Sequence, residues 1–215
     1  MKTALVLSGH VRGFAHAFKT WAWMMQVVDG TFFQCIPPTP GEVKIEDLIP
    51  NAIGEYAEDD PEIPELVQGS TPVHRSNPMP PNLYSPRMWR QRQLAYKKVT
   101  QEFDTIIHCR TDLHFLQTNV VLRTHSICVP IKFSWGGICD QWAYGPRDLM
   151  AHYFLMYEHG RDWEGDAFPP WTGNNETRLE RHLTGIPICR TFLAFVRVRG
   201  DGTLRDSGDP YEGAF

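Results

Sequence analysis

The sequence predicts an α/β fold, one domain with a central sheet flanked by helices, and two stretches carry that expectation. Thr3 to Leu7 (TALVL) reads as a buried strand and Ser8 to Gly13 as a glycine-bearing turn. Ala15 to Val28 follows as a helix and Thr31 to Ile36 as a second strand, completing a βαβ unit. The second stretch is Phe103 to Phe115 (FDTIIHCRTDLHF), where the β-branched, apolar run Thr105 to Cys109 ends in Arg110, Thr111, Asp112, Leu113 and His114. Open α/β sheets bind ligands at the carboxyl ends of their strands, which is where these polar residues fall.

The elements follow in order. In the first helix Phe18, Trp21, Ala22, Met25 and Val28 recur at steps of three and four. From Pro37 to Pro81 the chain is rich in Pro and acids (PPTPGE, AEDDPEIPE, NPMPP), which reads as a long excursion with one short helix near Val43 to Leu48. Ser85-Pro86 supplies an N-cap and a proline at the first helical position, opening a helix that runs to about Glu102. Val120 to Leu122 and Ser126 to Val129 read as short strands, Trp135 to Gly137 as a tight turn, and Cys139 to Tyr144 as another strand. Pro146 to His159 and Asn175 to Leu183 read as helices, separated by an aromatic loop from Asp162 to Asn174. Ile186 to Arg199 holds one or two strands, and residues 200–215 form a polar, turn-rich tail to a domain spanning 1–199.

Composition bounds the function. A chain of 215 residues with 42% hydrophobic and 12% aromatic content supports one substantial core. A net charge of −4 excludes a global basic field for nucleic acid, so any anionic ligand must be held locally. Too few apolar residues precede Ser8 for a secretory segment or a membrane span, so a cytoplasmic protein is expected. The cysteines are odd in number and form no CxxC pair, and they read as buried free thiols.

Three constellations point to chemistry. At extended spacing Asp112 and His114 project from one side of the backbone and would grip a divalent ion through a carboxylate oxygen and an imidazole nitrogen. Ser8, Gly9 and Arg12 form a second group: Gly9 permits close backbone approach, Ser8 offers a hydroxyl, and Arg12 reaches phosphate from the start of a helix. No GxGxxG or GxxxxGK pattern is present, so neither a dinucleotide fingerprint nor a P-loop is supported. The third is the basic helix, where Arg87, Arg90 and Lys97 share a face and Arg90 is the residue expected on a diphosphate. Arg110 serves either the same ligand or a salt bridge to Asp112.

Taken in order, LSGHVRGF, a WRQ-bearing helix, FDTIIHCRTDLHF, GICDQWAYGP and NNETRLERHL resemble the small GT-A-type glycosyltransferases of large viruses, phages and bacteria, over roughly residues 3 to 185. The resemblance implies a GT-A-like (Rossmann-like) mixed sheet that binds a nucleotide-sugar donor, such as a UDP-sugar, at its carboxyl edge. It further implies a divalent metal bridging the diphosphate to an Asp-x-Asp type turn, here Asp112-Leu113-His114. The imidazole tilts the choice between Mn2+ and Mg2+ toward Mn2+. The acceptor would be a hydroxyl on a glycan, and the host cytoplasm the location if the chain is viral. Asp140 then becomes the candidate at the reaction centre, to take the acceptor hydroxyl's proton or to orient the sugars. Trp142 and Tyr144 are a sugar platform or core aromatics, Glu176 and His182 candidates for the diphosphate border, and Trp163, Phe168 and Trp171 a lid. A non-catalytic nucleotide- or glycan-binding module, and a metal-dependent nucleotide-sugar hydrolase or nucleotidyltransferase, are the competing readings.

Overall fold

A computed structural model describes residues 1–57, 84–116, 125–132, 134, 137–160 and 175–205. The elements are β1 (Thr3–His10), α1 (Phe14–Phe18), α2 (Ala22–Met25), β2 (Gly30–Ile36), α3 (Ile45–Leu48), β3 (Ile53–Tyr56), α4 (Tyr84–Lys97), β4 (Thr105–Arg110) and β5 (Leu113–Phe115). They continue as β6 (Ile127–Pro130), β7 (Trp142–Pro146), α5 (Arg147–Phe154), α6 (Met156–Gly160), α7 (Asn175–His182), β8 (Ile188–Thr191), β9 (Phe195–Val198) and β10 (Leu204–Arg205). Seven strands form a mixed sheet in the order β3-β2-β1-β4-β7-β6-β8, and β10-β9-β5 form a second, antiparallel sheet. Within the large sheet β3, β2, β1 and β4 run parallel, and β7 joins β4 antiparallel.

The centre of the sheet follows from its apolar runs. Ala4 to Leu7 and Ile106 to Ile107 are wholly buried because both faces of β1 and β4 are covered, as parallel strands require. Alternation along the strands divides the core in two. Leu5, Leu7, Ile107 and Cys109 pack with Phe14, Trp21 and the second sheet's Leu113, Phe115 and Phe195. Ala4, Val6 and Ile106 pack with Trp89, Tyr153, Phe154 and Leu179 from α4, α5 and α7. All five cysteines are free thiols, four of them buried. No helix among the described residues is long and apolar enough to cross a membrane.

Several sequence expectations are corrected. β1 continues through Ser8, Gly9 and His10, so the turn is confined to the residues after His10. The helix expected over Ala15 to Val28 is broken between α1 and α2. Thr20 bonds the Ala17 carbonyl (2.8 Å) and accepts the Phe115 amide (3.0 Å), while Trp21 Nε1 donates to the Leu113 carbonyl (2.7 Å). Those side chains bind β5 to the break, a tertiary demand that periodicity cannot report. The strand β3 lies inside the Pro- and acid-rich excursion. It is an edge strand, and a Cβ on Gly54 would meet the Phe33 carbonyl oxygen at 2.2 Å, so glycine permits its pairing with β2. Helix α4 stops at Lys97 rather than Glu102, the strand expected from Cys139 begins at Trp142, and the helix expected over Pro146 to His159 divides at Leu155. The strand placed at Val120 to Leu122, the turn at Trp135 and Gly136, and the loop bearing Trp163, Phe168 and Trp171 lie outside the described residues.

Candidate functional site

The carboxyl ends of β1 and β4 lie side by side, with Ser8 paired to Arg110. Below that edge runs a buried polar chain. Ser8 Oγ lies 3.1 Å from His108 Nε2, His108 Nδ1 3.2 Å from the Tyr153 hydroxyl, and that hydroxyl donates to the Asp140 carbonyl at 3.2 Å. Tyr153 has one proton; given to Asp140, it leaves His108 Nδ1 as donor and Nε2 as acceptor from Ser8. Burial, then the Arg92 and Arg110 guanidiniums, hold His108 well below the usual imidazole range, so the ring is neutral. Ser8 is 1% exposed, and its hydroxyl is therefore engaged beneath the sheet edge rather than offered to a nucleotide.

Arg92, from α4, braces the other end of this chain. Its NH2 group donates to the Asp140 carbonyl at 2.8 Å and lies 3.6 Å from Asp140 Oδ2, with Arg92 1% exposed and Asp140 4%. A buried ion pair must be held by further hydrogen bonds, and here the main-chain carbonyl supplies one. Across from Asp140 stands Glu176, in the first turn of α7. The Gly137 segment holds α7 close: Ile138 N donates to the Glu176 carbonyl (3.0 Å), and a Cβ on Gly137 would meet that oxygen at 2.2 Å. Arg190 ties the same region together, donating to Gly137 O at 2.8 Å and to Glu180 Oε1 at 3.3 Å. Burial, then the Asp140 charge, pushes the Glu176 carboxyl up to about 8, so near neutrality it carries a proton.

The third part is the Asp112 turn. Arg110 clasps Asp112 through both oxygens, Nε to Oδ1 at 2.9 Å and NH2 to Oδ2 at 2.7 Å. Burial alone would raise the Asp112 pKa, but Arg110 holds it below the usual carboxylate range. The expected salt bridge between Arg110 and Asp112 is thus present. Asp112, the first residue of the expected metal pair, lies in the turn between β4 and β5, and His114, the second, lies on β5. Both Asp112 oxygens accept from the Arg110 guanidinium, and His114 lies opposite Val196.

Other candidates separate cleanly. Gly9 has φ +108° and nothing within 4 Å of a Cβ position, so its backbone faces open space at the sheet edge. Arg12 is exposed on the following turn. Gly13, at φ +81°, lies so close to β9 that a Cβ would meet Val198 O at 2.8 Å, which sets the β1 to α1 turn against the second sheet. Arg90 is not at the site: its guanidinium lies 5.3 Å from the Tyr157 ring, and Lys97 on the same face pairs with Glu158 at 2.6 Å, so that face packs on α6. His182 sits at the far end of α7, its Nε2 2.7 Å from the His152 carbonyl. Trp142 and Tyr144 are core residues at 0% and 2% exposure, not a sugar platform. Arg92 and Arg197 are the site residues that sequence reasoning passed over. Arg197, on β9, is felt electrostatically by Arg110, Asp112, Asp140 and Glu176.

No family model matches the chain, and no curated protein matches it. Among solved structures it is similar to a glycosyltransferase involved in the glycosylation of the major capsid of PBCV-1, with 15% identity, 87% of this chain and 82% of that chain covered, and a TM-score of 0.41.

Proposed function

We propose that the protein transfers a monosaccharide from a nucleotide-diphosphate sugar to an acceptor hydroxyl, on a glycan. One observation carries the reading: Asp140 and Glu176, two carboxyl groups in unlike environments, stand beside Arg110 and Arg197 at the carboxyl edge of parallel strands. Such a combination suits glycosyl transfer. The acceptor oxygen bonds to the anomeric carbon as the bond from that carbon to the β-phosphate oxygen breaks. The hydroxyl proton passes to a carboxylate, and the electron pair leaves on the diphosphate, whose charge needs fixed cations. Asp140, oriented by Arg92, is the proton acceptor or the group that orients the acceptor; Glu176, protonated, is a hydrogen-bond donor to a sugar hydroxyl. Gly9 and Arg12 border the nucleotide. The ordered motifs that resemble small glycosyltransferases support the same reading.

The test begins with UDP-, GDP-, CMP- and dTDP-sugars in a thermal-shift screen, in Mn2+ and in EDTA, because a ligand of the native state alone raises its apparent stability. Product analysis follows with the donor that binds. Free nucleoside diphosphate with sugar on an acceptor, and a loss of transfer of about 100-fold or more in Asp140→Asn with donor binding kept, is the expected result. Release of sugar phosphate would make the protein a pyrophosphatase, and donor binding without turnover a binding module.

A further inference from the structure

We infer that Arg197, delivered by β9 of the second sheet, forms with Arg110 a cationic seat for the donor's diphosphate, doing by guanidinium what the sequence assigns to a metal ion. The inference rests on the transferase reading and names the residues that would neutralise its leaving group.

Placement comes first. Arg197 lies opposite Leu113 in the β5 to β9 ladder, and the next residue's amide, Val198 N, donates to the Asp112 carbonyl at 2.8 Å. Residues opposite one another share a face, so Arg197 sits on the face of Leu113, Phe115 and Phe195, all buried between the two sheets. An arginine rooted there keeps its stem in the core and carries its head group to the rim. Its Nε is buried and has no hydrogen-bond partner. A buried N–H of this kind costs about 1–3 kcal/mol if nothing accepts from it, and an arriving phosphate oxygen would.

Charge gives the ligand class. Within the cluster Arg92 is matched by Asp140 and Arg110 by Asp112, whereas Arg197 makes no ion pair among the described residues. Burial disfavours its charge and Arg110 and Arg199, both cations, disfavour it further, while the Asp112 and Asp140 carboxylates relieve it in part. Glu176 offers little relief while it holds a proton. The buried Nε of Arg197, with no partner of its own, is the group left to receive an anion, and the planar fork of arginine matches a phosphate better than any single-point cation. Gly13 sets the β1 to α1 turn against β9, and the Arg12 Cβ lies 3.5 Å from the place a Cβ on Gly200, just past β9, would take, so the turn that follows Gly9 adjoins the strand that carries Arg197.

The probe is inorganic pyrophosphate, titrated into the full chain in EDTA and followed by calorimetry and thermal shift. Binding that persists in EDTA, weakens with salt and falls at least tenfold in Arg197→Gln, with partial recovery in Arg197→Lys, is the expected result. Binding that requires Mn2+, or that Arg197→Gln leaves unchanged, overturns it. Should Arg197→Gln not fold, the wild-type titration in EDTA and the Arg197→Lys variant still decide the matter, since a spectator arginine predicts no loss in the latter. Donor turnover separates the two claims. Transfer with an unaltered KM in Arg197→Gln sinks the seat and leaves the transferase standing; pyrophosphate binding through Arg197 without turnover of any nucleotide sugar does the reverse.

Discussion

Exchanging Glu176 for Gln replaces a carboxyl group whose proton the fold retains with an amide of nearly the same shape. In the folded chain burial and the neighbouring Asp140 raise this carboxyl from an ordinary value of 4.5 to about 8. Between those two pH values the folded state binds a proton that the unfolded state has released, so the group lowers stability as pH rises. One such proton sets a limiting slope of about 1.4 kcal/mol per pH unit, and half that slope sustained from about pH 5 to 8 amounts to roughly 2 kcal/mol. His10 and His108 have lowered pKa values and act in the opposite direction up to about pH 6.5, but they are present in both proteins and cancel in the difference. Urea unfolding of wild type and Glu176→Gln at unit steps of pH reads the effect directly. The difference should be small near pH 5, grow in favour of the variant with rising pH, and level off above pH 8. A difference that does not change with pH would refute the claim that Asp140 and burial hold a proton on Glu176.

Arg92→Met should cost about 3–5 kcal/mol in urea unfolding, because it leaves the Asp140 carboxylate buried without its guanidinium, and combining it with Asp140→Asn should recover part of that loss. Gly137→Ala forces a Cβ into the Glu176 carbonyl oxygen, so α7 must move away from Asp140. Its pH-dependent stability should then lose the Glu176 component and its transfer rate should fall; a variant with wild-type pH behaviour would show that α7 does not position the carboxyl.

Strands β1, β2 and β4 are legible because both faces of a parallel strand are buried, and so their sequences are continuously apolar. Strand β3 is not, since Ile53 and Glu55 lie exposed on an edge and the residue that permits pairing, Gly54, reads as a turn signal. The break between α1 and α2 is hidden for another reason: Phe18, Trp21 and Met25 keep helical spacing, and only the bonds from Thr20 and Trp21 to β5, more than ninety residues away, interrupt the helix. The turn at Asp112 is found in the right place, but whether a carboxylate faces a metal or its own neighbour Arg110 depends on side-chain rotamers that spacing does not encode.

The two missed arginines show which signal was available. Trp89, Arg92 and Tyr96 follow one another at three- and four-residue steps along α4, so Arg92 occupies a position in the buried stripe of its own helix. A guanidinium placed there is costly unless the fold supplies it with a carboxylate, and the structure supplies Asp140. Arg90, expected on the diphosphate because it shares a face with Arg87 and Lys97, instead lies over the Tyr157 ring. Arg197 follows the same logic on a strand: Phe195 and Arg197 share a face, and the burial of Phe195 commits that face to the core before the charge is considered. A charged residue in phase with an apolar stripe is therefore the more informative candidate than a charged residue beside one. Applied to this chain, that rule selects Arg92, which pairs with Asp140, and Arg197, whose buried Nε has no partner.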